Sequence, residues 1–161
     1  MLVTWALAFA PACAQETASE HAVRAAMLFN FTKFTEWPDG ARGARLKVCV
    51  ATDDSQLMAA MEALGGREVR GKPVVAVRYA QQADCDVIYA DSRPGWRATG
   101  ERRPRHALTV GGYAGFVADG GMIEVALQEG GARFDVNLAE AKKAGLRFYP
   151  QLLRLARRVW E

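Results

Sequence analysis

Two histidines, three cysteines and one pair of adjacent acids carry most of the reactive chemistry in this chain. Their spacing decides what they can do. His21 and His106 are far apart, and neither stands in an HExxH frame that would bind zinc on one helix face. No serine sits in a GxSxG elbow, and no two cysteines are spaced as zinc ligands. Asp53-Asp54 offers two carboxylates, but they follow an apolar run and precede Ser55-Gln56, the place where an acid caps a helix. Cys49 lies inside LKVCVA, and apolar surroundings disfavour a thiolate nucleophile. Gly111-Gly112-Tyr113-Ala114-Gly115 follows a short apolar run as a phosphate loop would. It lacks the GxGxxG spacing and the Lys-Ser/Thr of a P-loop. The residues describe a protein that binds rather than transforms: no enzyme, no cofactor and no metal set.

The elements that would position these residues follow from periodicity. Glu20–Trp37 reads as a helix, with Val23, Met27, Phe31, Phe34 and Trp37 on one face and Pro38 ending it. Asn30 falls within that apolar stripe. A buried amide must be bonded or it costs about 1–3 kcal/mol, so it is either satisfied by neighbouring backbone or a polar handle in a ligand pocket. Leu46–Ala51 reads as a strand, Gln56–Leu64 as a helix closed by Gly65-Gly66, Arg67–Lys72 as a polar connector, and Pro73–Tyr79 and Asp84–Ala90 as strands. Residues 91–105 are rich in arginine with Trp96 among them, a surface excursion with room for a short helix. Ala107–Val110 is a further strand.

The stretch Gly120–Gly145 is the most explicit. Met122–Leu127 and Arg133–Val136 flank Glu129-Gly130-Gly131, a hairpin signal. Asn137 then caps a helix with Glu140 three residues on, and Gly145 stops it. Pro150 opens a last helix, expected to run to Trp160 with Leu152, Leu155, Ala156, Val159 and Trp160 on its buried stripe. Strands alternating with helices predict a single α/β domain, an α/β layer rather than an all-β sandwich.

At 161 residues the chain is long enough for one core. A net charge of +3, spread along the chain, is too small for a nucleic-acid partner. The first fourteen residues, MLVTWALAFAPACA, carry no charge and end in an A-x-A cleavage pattern. They read as a signal peptide over 1–14, truncated at its basic start, followed by a flexible terminus over 15–19 and the folded domain over 20–161. Export leaves Cys49 and Cys85, and an even pair in an oxidising compartment predicts a disulfide; two buried free thiols are the alternative.

The motif AAMLFNFTKFTEWP at 25–38 resembles the amino-terminal signature of the YfiR family of small periplasmic proteins. So do Gly120-Gly121-Met122-Ile123, GARFDVNL at 131–138, Ala144-Gly145-Leu146, and Leu152-Leu153 with Leu155-Ala156. The resemblance implies a compact α/β sandwich, a mixed β-sheet flanked by helices, often dimeric and without enzymatic activity. It implies a periplasmic repressor that binds the periplasmic domain of a YfiN-type membrane diguanylate cyclase and lowers cyclic-di-GMP and biofilm formation. An outer-membrane YfiB-type lipoprotein and a small aromatic ligand are the other implied partners. Some relatives carry a second disulfide near the hairpin, where this chain has Val117 and Glu124. By resemblance Asp135 and Tyr149, with Pro150, are contact positions. Met122 and Ile123 are either anchors for the partner or core residues, with Arg133 at the rim. The other functional reading is a small-molecule-binding module coupled to a different signalling protein, such as a histidine kinase.

Overall fold

The computed structural model describes residues 12–40, 43–81, 84–129 and 131–161, with side chains from Glu20 onward. At its centre is β2 (Leu46–Ala51), whose alternation serves both faces. Leu46, Val48 and Val50 enter the larger core, while Cys49 and Ala51 enter a smaller one behind the sheet. β5 (Val87–Ala90) repeats the pattern, with Val87 and Tyr89 in front and Ile88 and Ala90 behind. Strands buried on both faces belong in the middle of a parallel sheet, and these two pair in parallel.

Around them lie β3 (Glu68–Val69), β4 (Lys72–Arg78), β6 (Leu108–Gly111), β7 (Ile123–Gln128), β8 (Gly131–Asn137) and β10 (Arg158–Trp160). The order is β10-β8-β7-β6-β5-β2-β4-β3. β7 pairs antiparallel with β8 and β3 with β4; the other neighbours are parallel. A separate antiparallel pair joins β1 (Thr35–Glu36) to β9 (Arg147–Phe148). Four helices contribute to the front core: α1 (Ala12–Lys33), α2 (Ser55–Glu62), α4 (Leu138–Lys143) and α5 (Pro150–Leu155). The back is covered by α3 (Arg93–Thr99) and the 112–119 loop, through Trp96 and Phe116. This is the expected single α/β domain with a mixed sheet between helices.

Local signals account for several boundaries. Asp54 caps α2, accepting the amides of Gln56 at 2.8 Å and Leu57 at 3.1 Å. Asn137 caps α4 by accepting the Glu140 amide at 3.1 Å, and Gly145 takes the left-handed turn beyond it. Cys49 and Cys85 are joined by a disulfide that closes 36 residues within the rear core.

Four expectations need correction. The first helix is longer at one end and shorter at the other. It includes 15–19, where Ala, Gln and Glu favour continuation, and it stops at Lys33. The Thr32 and Thr35 hydroxyls take up the Phe29 and Phe31 carbonyls as the chain leaves to pair as β1. The leader expected over 1–14 lies mostly outside the described residues; Ala12–Ala14 open α1. The buried face of α1 is also rotated: His21, Ala25, Leu28, Phe31 and Thr32 are buried, whereas Val23 is 39% exposed and Asn30 faces solvent. Asn30 is therefore no buried amide. Arg67–Lys72, expected as a connector, contains β3 and a tight turn with Arg70 at φ 51° and Gly71 at φ 75°.

The last helix ends at Leu155, not Trp160. Arg157 donates its amide to the Phe134 carbonyl at 2.8 Å, and residues 158–160 run beside β8. Of the expected stripe only Leu152 is buried; Leu155 is 70% exposed.

Reduction of Cys49–Cys85 should lower the unfolding free energy by about 2–4 kcal/mol, read from urea titrations with and without reductant. Asp54→Ala should cost about 1 kcal/mol at pH 7. The Leu57 amide, with that of Gln56, holds the Asp54 carboxyl below its ordinary value. A pKa depressed in the fold gives stability that is present above the unfolded carboxylate pKa of about 3.9 and is lost as pH falls through the folded value. The difference between native chain and variant should therefore shrink below about pH 4.

Candidate functional site

The hairpin β7–β8 carries two carboxylates directly opposite each other, Glu124 and Asp135. Both are buried, at 7% and 4% exposure. Like charges in register across an antiparallel pair repel, so each needs its own partner. Asp135 is held bidentately by Arg157, with Nε and Nη2 each at 2.8 Å. Asp135 in turn raises the Arg157 pKa. Glu124 accepts the backbone amides of Gly115 at 3.1 Å and Val117 at 3.2 Å. Asn137 adds a bond from its side-chain amide to the Val117 carbonyl at 3.3 Å. The hairpin is thus clipped to the 115–117 loop by polar contacts, at the place where Val117 and Glu124 stand in this chain.

Glycines on either side of that loop make space for a ring. A Cβ on Gly111 would lie 2.2 Å from Phe116, and one on Gly121 would lie 2.0 Å from it. Phe116 is fully buried between them and meets Trp96 and Tyr113 edge-on at 4.8 and 5.4 Å. Gly111 and Gly121 form a packing slot and Gly112 lies against Tyr89 and Arg24, so this glycine run packs side chains rather than cradling a phosphate.

Tyr149 stands just before α5 without capping it. Its hydroxyl accepts a bond from Arg70 Nη2 at 2.8 Å, and the Arg70 guanidinium lies 5.2 Å from its ring centre. Phe29 lies between Lys33 at 5.1 Å and Arg67 at 5.3 Å. The Tyr149 amide bonds to the Phe34 carbonyl, which ties the end of α1 to the start of α5. Three exposed cations and two half-buried aromatic rings are gathered here from α1, the β3 region and α5. Pro150 is exposed beside Tyr149, and Asn30 is exposed next to Phe29. Only Phe29 and Lys33 are locally spaced, four apart on α1; Arg67 and the Arg70–Tyr149 pair come from far along the chain, and of this place only Asn30, Tyr149 and Pro150 were expected beforehand.

The remaining candidates separate. Met122 and Ile123 are core residues, at 6% and 0% exposure. Arg133 is exposed on the hairpin. Asp135 is consumed by Arg157, so its carboxylate is not free to meet a partner directly. His21 Nε2 sits 3.3 Å from the capping carboxylate of Asp54, and His106 Nδ1 is 2.6 Å from the Ala144 carbonyl. Among the described residues no three His, Cys, Asp or Glu side chains cluster as a metal site, and no helix is long and apolar enough to cross a membrane.

A second polar place lies where the sheet order reverses. The chain goes from β2 to β4 on one side and returns to β5 on the other, and ligands in open α/β sheets favour the carboxyl ends of strands at such a point. There a crevice of about 450 Å³ is lined by Thr52, Asp53, Arg78, Tyr79, Ser92 and Gly95, among others. Thr52 donates to Asp91, Arg78 to the Thr52 carbonyl at 2.7 Å, and Tyr79 to the Thr99 carbonyl at 3.0 Å. Most of its polar groups are already satisfied from within the fold.

Residues 21–157 match the family model described as YfiR/HmsC-like. No curated protein matches. Among solved structures, a conserved domain protein from Vibrio cholerae O1 biovar eltor is similar at 13% identity and a TM-score of 0.52, covering 86% of this chain and 60% of that one. The ABC domain in complex with L-Trp from Streptococcus pneumonia is similar at 11% identity and a TM-score of 0.47, covering 71% of this chain and 55% of that one. The chain spans less than two thirds of each of these solved chains. The first likeness is one of fold alone.

Arg157→Ala should lower the midpoint of urea unfolding, because it leaves the Asp135 carboxylate buried without its donors. A double-mutant cycle with Asp135→Ala, read the same way, should show the two effects to be non-additive.

Proposed function

This chain belongs to the YfiR/HmsC-like family, and on that premise we propose that it is an exported regulatory binding protein. In this reading it works in the periplasm as a homodimer. It represses an inner-membrane diguanylate cyclase by docking on the cyclase's periplasmic domain, and so lowers cyclic-di-GMP and biofilm formation. An outer-membrane lipoprotein that sequesters it, and a small aromatic ligand, are the further partners of the same reading.

The observation that carries the proposal is the cation–aromatic surface formed by Phe29, Lys33, Arg67, Arg70 and Tyr149. Arginine and tyrosine are the residue types that dominate binding energy at protein interfaces, and here they are pre-set by contact with one another. The surface has the charge for an acidic patch on the partner and the rings for an apolar one. A regulator of this kind acts by binding one state of its target better than another, and it shifts the equilibrium only by that difference. It needs a shaped surface and no reactive group.

The second reading, a small-molecule module coupled to another signalling protein such as a histidine kinase, is favoured by the switch-point crevice at Thr52, Asp53 and Arg78. A thermal-shift screen that finds a ligand lost on Asp53→Ala and Arg78→Ala, with no cyclase partner, would select it.

Deletion of the gene should raise cyclic-di-GMP, and the purified chain should bind the cyclase's periplasmic domain. Arg70→Glu and Tyr149→Ala should each weaken that binding at least about ten-fold, or about 1.4 kcal/mol, with the melting temperature little changed. Steady cyclic-di-GMP on deletion, together with no binding, would refute the reading.

A further inference from the structure

Three of the four exposed large hydrophobic residues among those described lie at one end of the sheet: Leu155, Val159 and Trp160, at 70%, 36% and 40% exposure. Val159 and Trp160 belong to β10, which ends the strand order and has a neighbour on one side only. The opposite edge is protected. β3 is two residues long, Glu68 is exposed on it, and Arg67 and Arg70 flank it beside a tight turn. Those are the usual defences against strand addition, and β10 has an arginine but keeps its apolar residues open.

We propose that β10 docks against β10 of a second copy of this chain, antiparallel and with Val159 on the two-fold axis. Residues opposite one another in an antiparallel pair point their backbone groups the same way, so the two residue numbers of each pair across a self-pairing strand must sum to an even value. Three centred registers put residue 158, 159 or 160 on the axis. Centring on Arg158 sets that arginine against its own copy. Centring on Trp160 sets Val159 against Glu161. Centring on Val159 sets Arg158 opposite Trp160 of the other copy, and Arg157 opposite Glu161. Only this last register pairs cation with ring, cation with acid, and apolar with apolar. Within one chain the Arg158 guanidinium already lies 5.7 Å from the Trp160 ring centre, so the pairing extends a contact that the fold has preformed. The interface is isologous, as a two-fold requires, and Leu155 is the exposed apolar residue just before it.

The seam gives the homodimer of the proposed function its surface and rests on that reading only for the existence of a dimer. A contact built on so short a strand is below the size of an obligate interface, so the dimer forms and dissociates with concentration.

Sedimentation of the native chain over a range of concentrations, with oxidative cross-linking in a Cys13→Ser background, tests it. Val159→Cys should cross-link to itself. Arg158→Cys and Trp160→Cys should cross-link efficiently only when mixed. Glu161→Arg, an exposed change whose folding is checked by circular dichroism, should weaken the dimer at least about ten-fold. A dimer that forms without the Val159→Cys bond, or that ignores Glu161→Arg, overturns the seam and leaves the homodimer standing. A monomer at every concentration overturns both. Cross-linking from position 159 to the cyclase's periplasmic domain, with none between copies, overturns self-docking in favour of strand addition to that partner.

Discussion

The contact on which the outer half of this molecule depends is the bidentate pair between Asp135 and Arg157. A carboxylate on a buried hairpin strand has to be neutralised or bonded, and its cross-strand neighbour is another carboxylate, Glu124. The hairpin's own arginine, Arg133, is exposed, and the cation that binds Asp135 is Arg157. It comes from beyond the last helix, and bringing it in draws the chain alongside β8. That requirement explains why α5 stops at Leu155 although the apolar residues beyond it keep a helical spacing. The same requirement creates β10, and with it the open edge. Glu124 takes the other route, drawing two backbone amides of the 115–117 loop onto itself. One hairpin is thereby fastened on both sides, to the loop before it and to the strand after the last helix.

The rear of the sheet is thin and is sealed by few groups. Phe116 fills a slot that exists because residues 111 and 121 have no side chain. Trp96 packs against it, donating its indole N–H to the Asp119 carbonyl at 3.1 Å. Arg93 binds Asp119 at 2.6 Å and so fastens α3 to the same loop. Desolvation, together with Asp119, pushes the Tyr113 hydroxyl pKa up to about 12, so it remains a donor to that carboxylate across the ordinary pH range. The disulfide belongs to this layer too. A small secondary core with one short helix over it gains most from a covalent tie, because it has little apolar area to contribute.

What was legible in the sequence was local. The cap at Asp54, the cap at Asn137, the turn at Gly145 and the strand Leu46–Ala51 each depend on residues within a few positions of one another. What was not legible depends on residues far apart. The α1 face was assigned from Val23, Met27, Phe31 and Phe34, which fit a helical period as well as His21, Ala25, Leu28 and Phe31 do. The choice between those stripes is made by the sheet and by α2 packed beneath them. The stop at Leu155 is made by Asp135. The ring of Tyr149 meets Arg70 because a turn with a positive φ at a non-glycine residue sends that arginine across, and nothing near Tyr149 announces it. The two glycine pairs were visible, but their meaning was not, since a slot for Phe116 and a loop for a phosphate begin with the same letters.

These contacts bear directly on the proposed docking of this chain on a cyclase. The cyclase reading asks one surface to discriminate between two states of a target, and discrimination weakens if the surface itself adapts to both. Arg70 is bonded to the Tyr149 hydroxyl and placed over its ring, so neither side chain has to be ordered when a partner arrives. The conformational cost of binding, about 0.5–1.5 kcal/mol for each long side chain immobilised, is largely met in the free protein. A surface so prepared rejects a target state whose acidic and apolar groups are displaced, because its own groups do not follow. On the proposed reading, the rigidity that fixes the fold at the hairpin and the selectivity asked of Tyr149 come from the same device: long side chains held by partners that the chain itself provides.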